Sequence, residues 1–376
     1  MNTRRDVLAI GLLAVFALPA SARDGHPVVT GHVVFQGAGR VADGVTALFR
    51  GLGFDASLIS SDVVRDRLFR DLGAASAAGF DPASPLGAVF VVDGEVLHRV
   101  PFLVAADRAL VEQGIAPGVQ VLTAGDRGGL VLGPTPEVAA AVAKYVTTSG
   151  LDHERSGATV SFRFVAAPFA ARSLPWLESQ AGILRGLARM ASFLSRDTGE
   201  LELAAGVLED AHALLEPWEM VDGELFVSGG GVRLISRCVP RAGTEAARTL
   251  GQVAALPTPD PDERRGVALR AETSVAASSV ERWVGLLAPA DSVQLEHAGG
   301  RTRLTVPATD ALLPAQPGDA ANAVARLTVS LVELRGGAAG EAPVHAFARV
   351  EGGSLRVELE FPAAQLQVCV PRIEAK

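Results

Sequence analysis

Apolar and polar residues alternate around Asp-Gly or Gly-Gly pairs at four places, and each such pattern predicts a β-hairpin. They are FVVDGEVLHRV at 90–100, EMVDGELFV at 219–227, LEHAGGRTRLTV at 295–306 and RVEGGSLRVELEF at 349–361. Three of them carry VDGE, VDGE and VEGG from Val92, Val221 and Val350, each 129 residues from the next. A fixed spacing of that kind points to an internal repeat. Cys238-Val-Pro-Arg and Cys369-Val-Pro-Arg echo each other downstream of two of these hairpins.

Other stretches carry a helical period. Ser61 is placed to cap DVVRDRLFRDL, where Val64, Leu68 and Leu72 share a face and Gly73 ends the run. Thr135 and Pro136 open PEVAAAVAKYV with a cap and a first-turn proline. Ser173 opens LPWLESQAGILRGLARMASFL, with an apolar stripe at Leu177, Ala181, Leu184, Ala188 and Ala191.

A strand followed by a helix opens three segments: HVVFQGAGRVADGVTALFRGL, TVSFRFVAAPFAARSLPWLESQAGILRGL and GVALRAETSVAASSVERWVGLL. Hairpins mixed with helices predict an α+β fold of repeated strand–helix–hairpin units, mainly antiparallel, with helices packed on one face. PTPDPDE at 257–263 reads as a linker, and TTSGLDHERSG at 147–157 as a weaker boundary. The expected organisation is a leader over 1–22 and α+β units over 23–150, 151–263 and 264–376.

The leader is MNTRRDVLAIGLLAVFALPASA: Arg4 and Arg5, an apolar stretch from Val7 to Leu18, then small residues ending at Ala22. This is the pattern of a secretory signal peptide cleaved after Ala22. Its apolar stretch is shorter than the roughly 20 residues needed to span a bilayer, so no stable membrane span is expected after cleavage. Thr3-Arg4-Arg5-Asp6-Val7-Leu8 also resembles the twin-arginine export motif, so the Sec and twin-arginine routes both stand. The expected location is periplasmic or extracellular.

Composition narrows the functions. The 376-residue chain is 48% hydrophobic with a net charge of −8, and loss of residues 1–22 makes it −9. Without a basic, aromatic-studded stretch, an acidic chain is a poor nucleic-acid binder. Lysine occurs only at Lys144 and Lys376, and neither sits in a phosphate-loop, Schiff-base or Ser-x-x-Lys context.

One stretch raises cofactor chemistry. Gly37-Ala38-Gly39-Arg40-Val41-Ala42 follows the apolar run VVF and precedes an amphipathic segment, with Asp62 25 residues beyond Gly37. A dinucleotide site uses such glycines to bring backbone N–H groups to a pyrophosphate, and a later acid to hold the ribose. Gly37, Gly39, Ala42 and Asp62 would then bind NAD(P) in an exported oxidoreductase. Against this, the next strand candidate, FDASLIS, alternates where a central parallel strand should be continuously apolar. The later segments are hairpins rather than crossovers, so the favoured reading of the glycines is a strand-to-helix turn.

No catalytic residue and no metal site is assigned. His26 and His32 with Asp24 lack a further ligand at a geometric spacing, and His153-Glu154 lacks the second histidine of the zinc-protease motif. Ser228 precedes three glycines without the nucleophile-elbow pattern. Cys238 and Cys369 are a candidate disulfide in an exported protein. Parity speaks against it, since Cys238 alternates with Val232 and Leu234 on an inward face, and Cys369 with Gln365 and Gln367 on an outward one.

The leader, the stretch GFDPASPLGAVFVVDG and the hairpin and helix after it resemble uncharacterised exported bacterial α+β proteins. The resemblance covers the first half of the chain and implies location and architecture, with no activity attached. The leading expectation is a non-catalytic extracytoplasmic protein without a cofactor, binding an apolar ligand or an envelope partner.

Overall fold

The computed structural model describes residues 27–53, 60–71, 79–113, 120–124, 129–149, 157–193, 205–206, 208–209, 217–257, 265–274, 293–298, 301–313, 322–334 and 341–369. The leader with Ala22, His26, FDASLIS apart from Ser60, His153-Glu154 and nearly all of the 257–263 linker lie outside them. In chain order the elements begin with β1 (Val28–Phe35), α1 (Ala38–Gly51), α2 (Ser61–Asp71), β2 (Leu86–Asp93) and β3 (Val96–Val104). Then come α3 (Arg108–Gln113), β4 (Gln120–Ala124), β5 (Gly129–Gly133), α4 (Pro136–Ser149), β6 (Val160–Val165) and α5 (Ala166–Phe193). Next are β7 (Trp218–Ser228), β8 (Gly231–Pro240), α6 (Glu245–Gln252), β9 (Arg265–Thr273), β10 (Gln294–Ala298) and β11 (Arg301–Leu312). The chain ends on β12 (Ala323–Val329), α7 (Leu331–Leu334), β13 (Val344–Glu351), β14 (Ser354–Pro362) and α8 (Ala363–Cys369). Helices beside extensive antiparallel sheet make the fold α+β.

The chain divides into two compact units: residues 1–40, 65–156 and 161–217, and residues 41–64, 157–160 and 218–376. In the first, the strand order is β6-β1-β2-β3-β5-β4, with β1–β2, β2–β3, β3–β5 and β4–β5 antiparallel. Successive side chains of a strand point to opposite faces, which gives this sheet two apolar layers. Val34, Val89, Val91, Val100, Phe102 and Val131 pack with Val138, Ala139, Val142 and Val146 of α4. Those helix positions recur every three or four residues, so one face of α4 is apolar. Thr135 caps it, its hydroxyl accepting from Val138 N at 3.3 Å. On the opposite face Phe90 meets Phe164 of β6 and, edge to face, Phe169 of α5. Each buried side chain of this size contributes roughly 1.5–3 kcal/mol. Helices thus cover both faces of the first sheet, where one face was expected. The reason is legible in β2, whose LGAVFVV run is apolar at consecutive positions and buried over its first six residues.

In the second unit the order is β10-β11-β9-β12-β13-β14-β8-β7, and each pairing is antiparallel. Here the two faces differ in character, although Phe347 and Ile235 fall among the charged residues. Leu269, Ala271, Leu304, Val306, Val329 and Val344 form an apolar face with Leu331 and Leu334 of α7. Arg270, Glu272, Arg303, Arg326, Arg349, Arg356, Glu358 and Arg233 occupy the other face, as the register of opposite residues shows.

Several sequence expectations shift. The turns at Gly94-Glu95 and Gly352-Gly353 are where expected, the last pair at φ +55° and +77°, values that glycine takes without a Cβ clash. VDGE at 221–224 is not a turn but the middle of β7, with Asp222 opposite Arg237; the chain reverses at Gly229-Gly230. The 129-residue echo therefore joins positions that are not equivalent. α5 begins at Ala166, not after Ser173, and carries Pro175 in its interior. Packing of Leu177, Ala181, Leu184 and Ala188 holds the helix through that lost donor. The cap of α2 is Ser60, which accepts from Val63 N at 3.3 Å, while the Ser61 hydroxyl donates to Asp43 at 2.9 Å. Cys369 ends a helix, so the strand parity argued for it does not apply.

Candidate functional site

The Gly37–Ala42 turn joins β1 to α1. Gly37 lies at φ +96°, and a Cβ there would sit 2.9 Å from Ala83 O and 3.2 Å from Pro82 O. Gly39 N donates to Pro82 O at 3.0 Å. The 82–83 backbone that presses on the turn is itself held by Asp81, which accepts from Ala83 N and the Ser84 hydroxyl. Those bonds, from Ser84 first and Ala83 second, hold the Asp81 carboxyl below its usual range. The turn thus faces carbonyl oxygens, which repel a phosphate, and an N–H that already has an acceptor. Strand β1 runs antiparallel to β2, unlike the parallel strands of a dinucleotide fold. Ala42 is 1% exposed within α1, and Asp62 is an exposed residue in the first turn of α2.

Histidines and the serine have local partners. His32 is buried and its Nδ1 shares a 2.8 Å hydrogen bond with the Tyr145 hydroxyl of α4. Ser228 Oγ accepts from Gly230 N at 3.3 Å and so supports the β7–β8 turn. His98 is buried with Nε2 lacking a hydrogen bond, and burial lowers its pKa, with Asp93 opposing. Among the described residues no group of His, Cys, Asp and Glu is arranged to hold a metal.

The second unit carries a buried ionic cluster that sequence reading missed. Glu272 of β9 accepts from Arg270 and Arg303, each at 2.9 Å, and lies 3.6 Å from Arg326 of β12. Arg326 also donates to Leu256 O at 3.3 Å. Pairing of β9 with β11 and β12 puts these residues on one face, and that face closes over them. Towards β13, β14 and β8 the same face opens into a ladder in which Arg233, Arg349 and Arg356 engage Glu358.

The opposite, apolar face changes along the sheet. At β9 it is closed, with Leu269 0% and Ala271 2% exposed, and in β12 Val329 is 2% exposed while Leu327 is half-buried. At β7, β8, β14 and β13 Val221, Leu234, Cys238, Leu355, Val357 and Ala348 are half-buried, while Val344 and Ser236 on the same face are buried. Pairing sets them shoulder to shoulder, Cys238 between Val221 and Leu355, and Val357 between Ser236 and Ala348. Cys238 carries a free thiol. Burial pushes it above its ordinary pKa, the Ser236 hydroxyl opposing and Asp222 adding to the rise. A neutral thiol is a small apolar group rather than a nucleophile. This half-covered apolar surface is the candidate site, and its chemistry is contact and exclusion of water rather than bond making.

Among the described residues no helix is long and apolar enough to cross a membrane. Compared with family models, curated proteins and solved structures, the chain matches none.

Proposed function

We propose that this is an exported, non-catalytic binding protein whose second unit takes an apolar, chain-like ligand on the half-covered face of β7, β8, β14 and β13. The leader-like residues 1–22 support export to the periplasm or beyond. The observation that carries the binding reading is the change along one sheet face, from fully closed at Leu269 to half-buried at Val357. Water against a contiguous apolar surface costs roughly 25 cal/mol per Å², which an apolar ligand recovers. In this unit α7 packs on the apolar side of the sheet, and the part of the charged side around Arg233, Arg349 and Arg356 is open for contact with the envelope. The order strand, helix, hairpin recurs as β1–α1–β2–β3, β6–α5–β7–β8 and β12–α7–β13–β14, with α2 following α1 in the first; this supports a repeated unit.

A fluorescent long-chain fatty acid tests the reading. It should bind the exported protein saturably and slow alkylation of Cys238, read by peptide mass. Val357→Thr, which swaps a methyl for a hydroxyl in the middle of the face, should weaken binding several-fold without unfolding the chain. Binding that leaves Cys238 alkylation and the Val357→Thr affinity unchanged would place the ligand elsewhere.

A further inference from the structure

β10 ends the strand order of the second unit, and among the described residues it pairs with β11 alone. All of its residues from Gln294 to Ala298 are exposed, Leu295 to 45%. The backbone groups on its outer side therefore face solvent, the arrangement that accepts a further strand.

Two rows of side chains run across the sheet to this edge. On the charged side Glu296, Arg303, Glu272 and Arg326 lie opposite one another in turn, acid and base alternating from β10 through β11 and β9 to β12. Arg303 donates to Glu272 at 2.9 Å and lies 3.7 Å from Glu296, whose side chain is 68% exposed. The row thus ends on an accessible carboxylate, and the residue that continues its alternation is a base. On the apolar side Leu295 extends the row of Leu304, Ala271 and Leu327. Opposite charges and apolar pairs that face across strands favour pairing, and like charges oppose it. Glu296 also rejects one partner. The other β10 residues on its side of the sheet are Gln294 and Ala298. A second copy of β10, added with like faces aligned, therefore sets no cation opposite Glu296, and pairing centred on that residue sets two carboxylates against each other.

We propose that the outer edge of β10 is a strand-addition site for an extended basic segment of a partner protein. An arginine or lysine of that segment pairs with Glu296, and the apolar residue that follows it packs beside Leu295 on the other face, as antiparallel pairing requires. Main-chain hydrogen bonds supply the affinity, and these two side chains select the sequence and its register. The site lies on a different part of the sheet from the half-covered face of β7, β8, β14 and β13, and it stands without the ligand reading.

The test uses the full chain and fluorescent peptides, with binding read by anisotropy and its place by hydrogen exchange. The peptide TTTRVTT should bind about fivefold more tightly than TTTVRTT, in which the two key residues are exchanged, or TTTEVTT, in which the base becomes an acid. It should slow exchange of the β10 amides and leave those of β8 and β14 unchanged. Glu296→Arg should reverse the choice, so that TTTEVTT binds more tightly than TTTRVTT. The comparison of peptides on the unaltered protein stands even if that variant fails to fold. No binding of TTTRVTT at its highest soluble concentration, equal binding of the three peptides, or protection outside β10 would each overturn the site. Dimerisation of the unaltered protein that Leu295→Lys abolishes would assign the edge to a second copy and overturn it as well.

Discussion

Gly37 and Gly39 are two residues apart in one turn, yet the structure predicts opposite consequences for the same substitution. At Gly37, alanine must adopt φ +96° and its Cβ would lie 2.9 Å from Ala83 O and 3.2 Å from Pro82 O. Left-handed backbone costs an L-residue about 1–2 kcal/mol. The contact is with main-chain oxygens of a loop pinned by Asp81, so relief requires moving that loop, which adds about 1–2 kcal/mol. Gly37→Ala should therefore destabilise by about 2–4 kcal/mol. At Gly39 an added Cβ meets Pro82 O at 3.6 Å, ordinary contact, and the residue lies in α1. Replacing a helical glycine with alanine gains about 0.5–1 kcal/mol, mainly by restricting the unfolded chain, and the Gly39 N–H to Pro82 O bond survives the change. Urea denaturation of the two variants, followed by circular dichroism, reads both signs in one experiment. Equal losses at the two positions, or a loss of more than about 2 kcal/mol at Gly39, would refute the view that the turn is shaped by the 82–83 backbone alone.

Three further outcomes follow from charged and titratable groups. Glu272→Gln should cost about 3 kcal/mol, because Arg270 and Arg326 remain buried after the carboxylate that joins them is neutralised; denaturant midpoints check it. His98 is held neutral by burial, so its folded pKa lies below the ordinary 6.5. Its contribution to stability is full above the unfolded pKa and is lost as pH falls from about 6.5 through the folded value; His98→Phe should flatten that part of the stability–pH curve. Arg185 and Glu209 form two hydrogen bonds of 2.7 and 2.6 Å but are half-exposed, so Arg185→Gln should lower stability by less than about 1 kcal/mol, with the difference shrinking in salt.

What could be read from the sequence was the local alternation. Alternation in RVEGGSLRVELEF predicts the β13–β14 hairpin, and the Gly352-Gly353 turn sets its register. Reading failed where a strong local signal was outvoted by pairing. Asp222-Gly223 has turn chemistry, but residues 218–228 find a complete ladder on β8, and the pair of glycines at 229–230 reverses the chain at less cost. Ser173 and Pro175 look like a helix start, yet α5 already runs from Ala166, directly after β6. Gln365 and Cys369 continue the alternation of β14 and so read as strand. Pro362 ends that ladder opposite Gly231, and the chain turns helical. Burial of Arg270, Glu272 and Arg326 depends on what covers a face, which no period reveals.

The most direct test of the binding account is non-denaturing mass spectrometry of the protein purified after export. The account predicts a chain beginning at Arg23 that carries a lipid-sized adduct, lost in parallel with restored alkylation of Cys238. A clean mass under conditions that preserve bound lipid, or an adduct of nucleotide size, would contradict it.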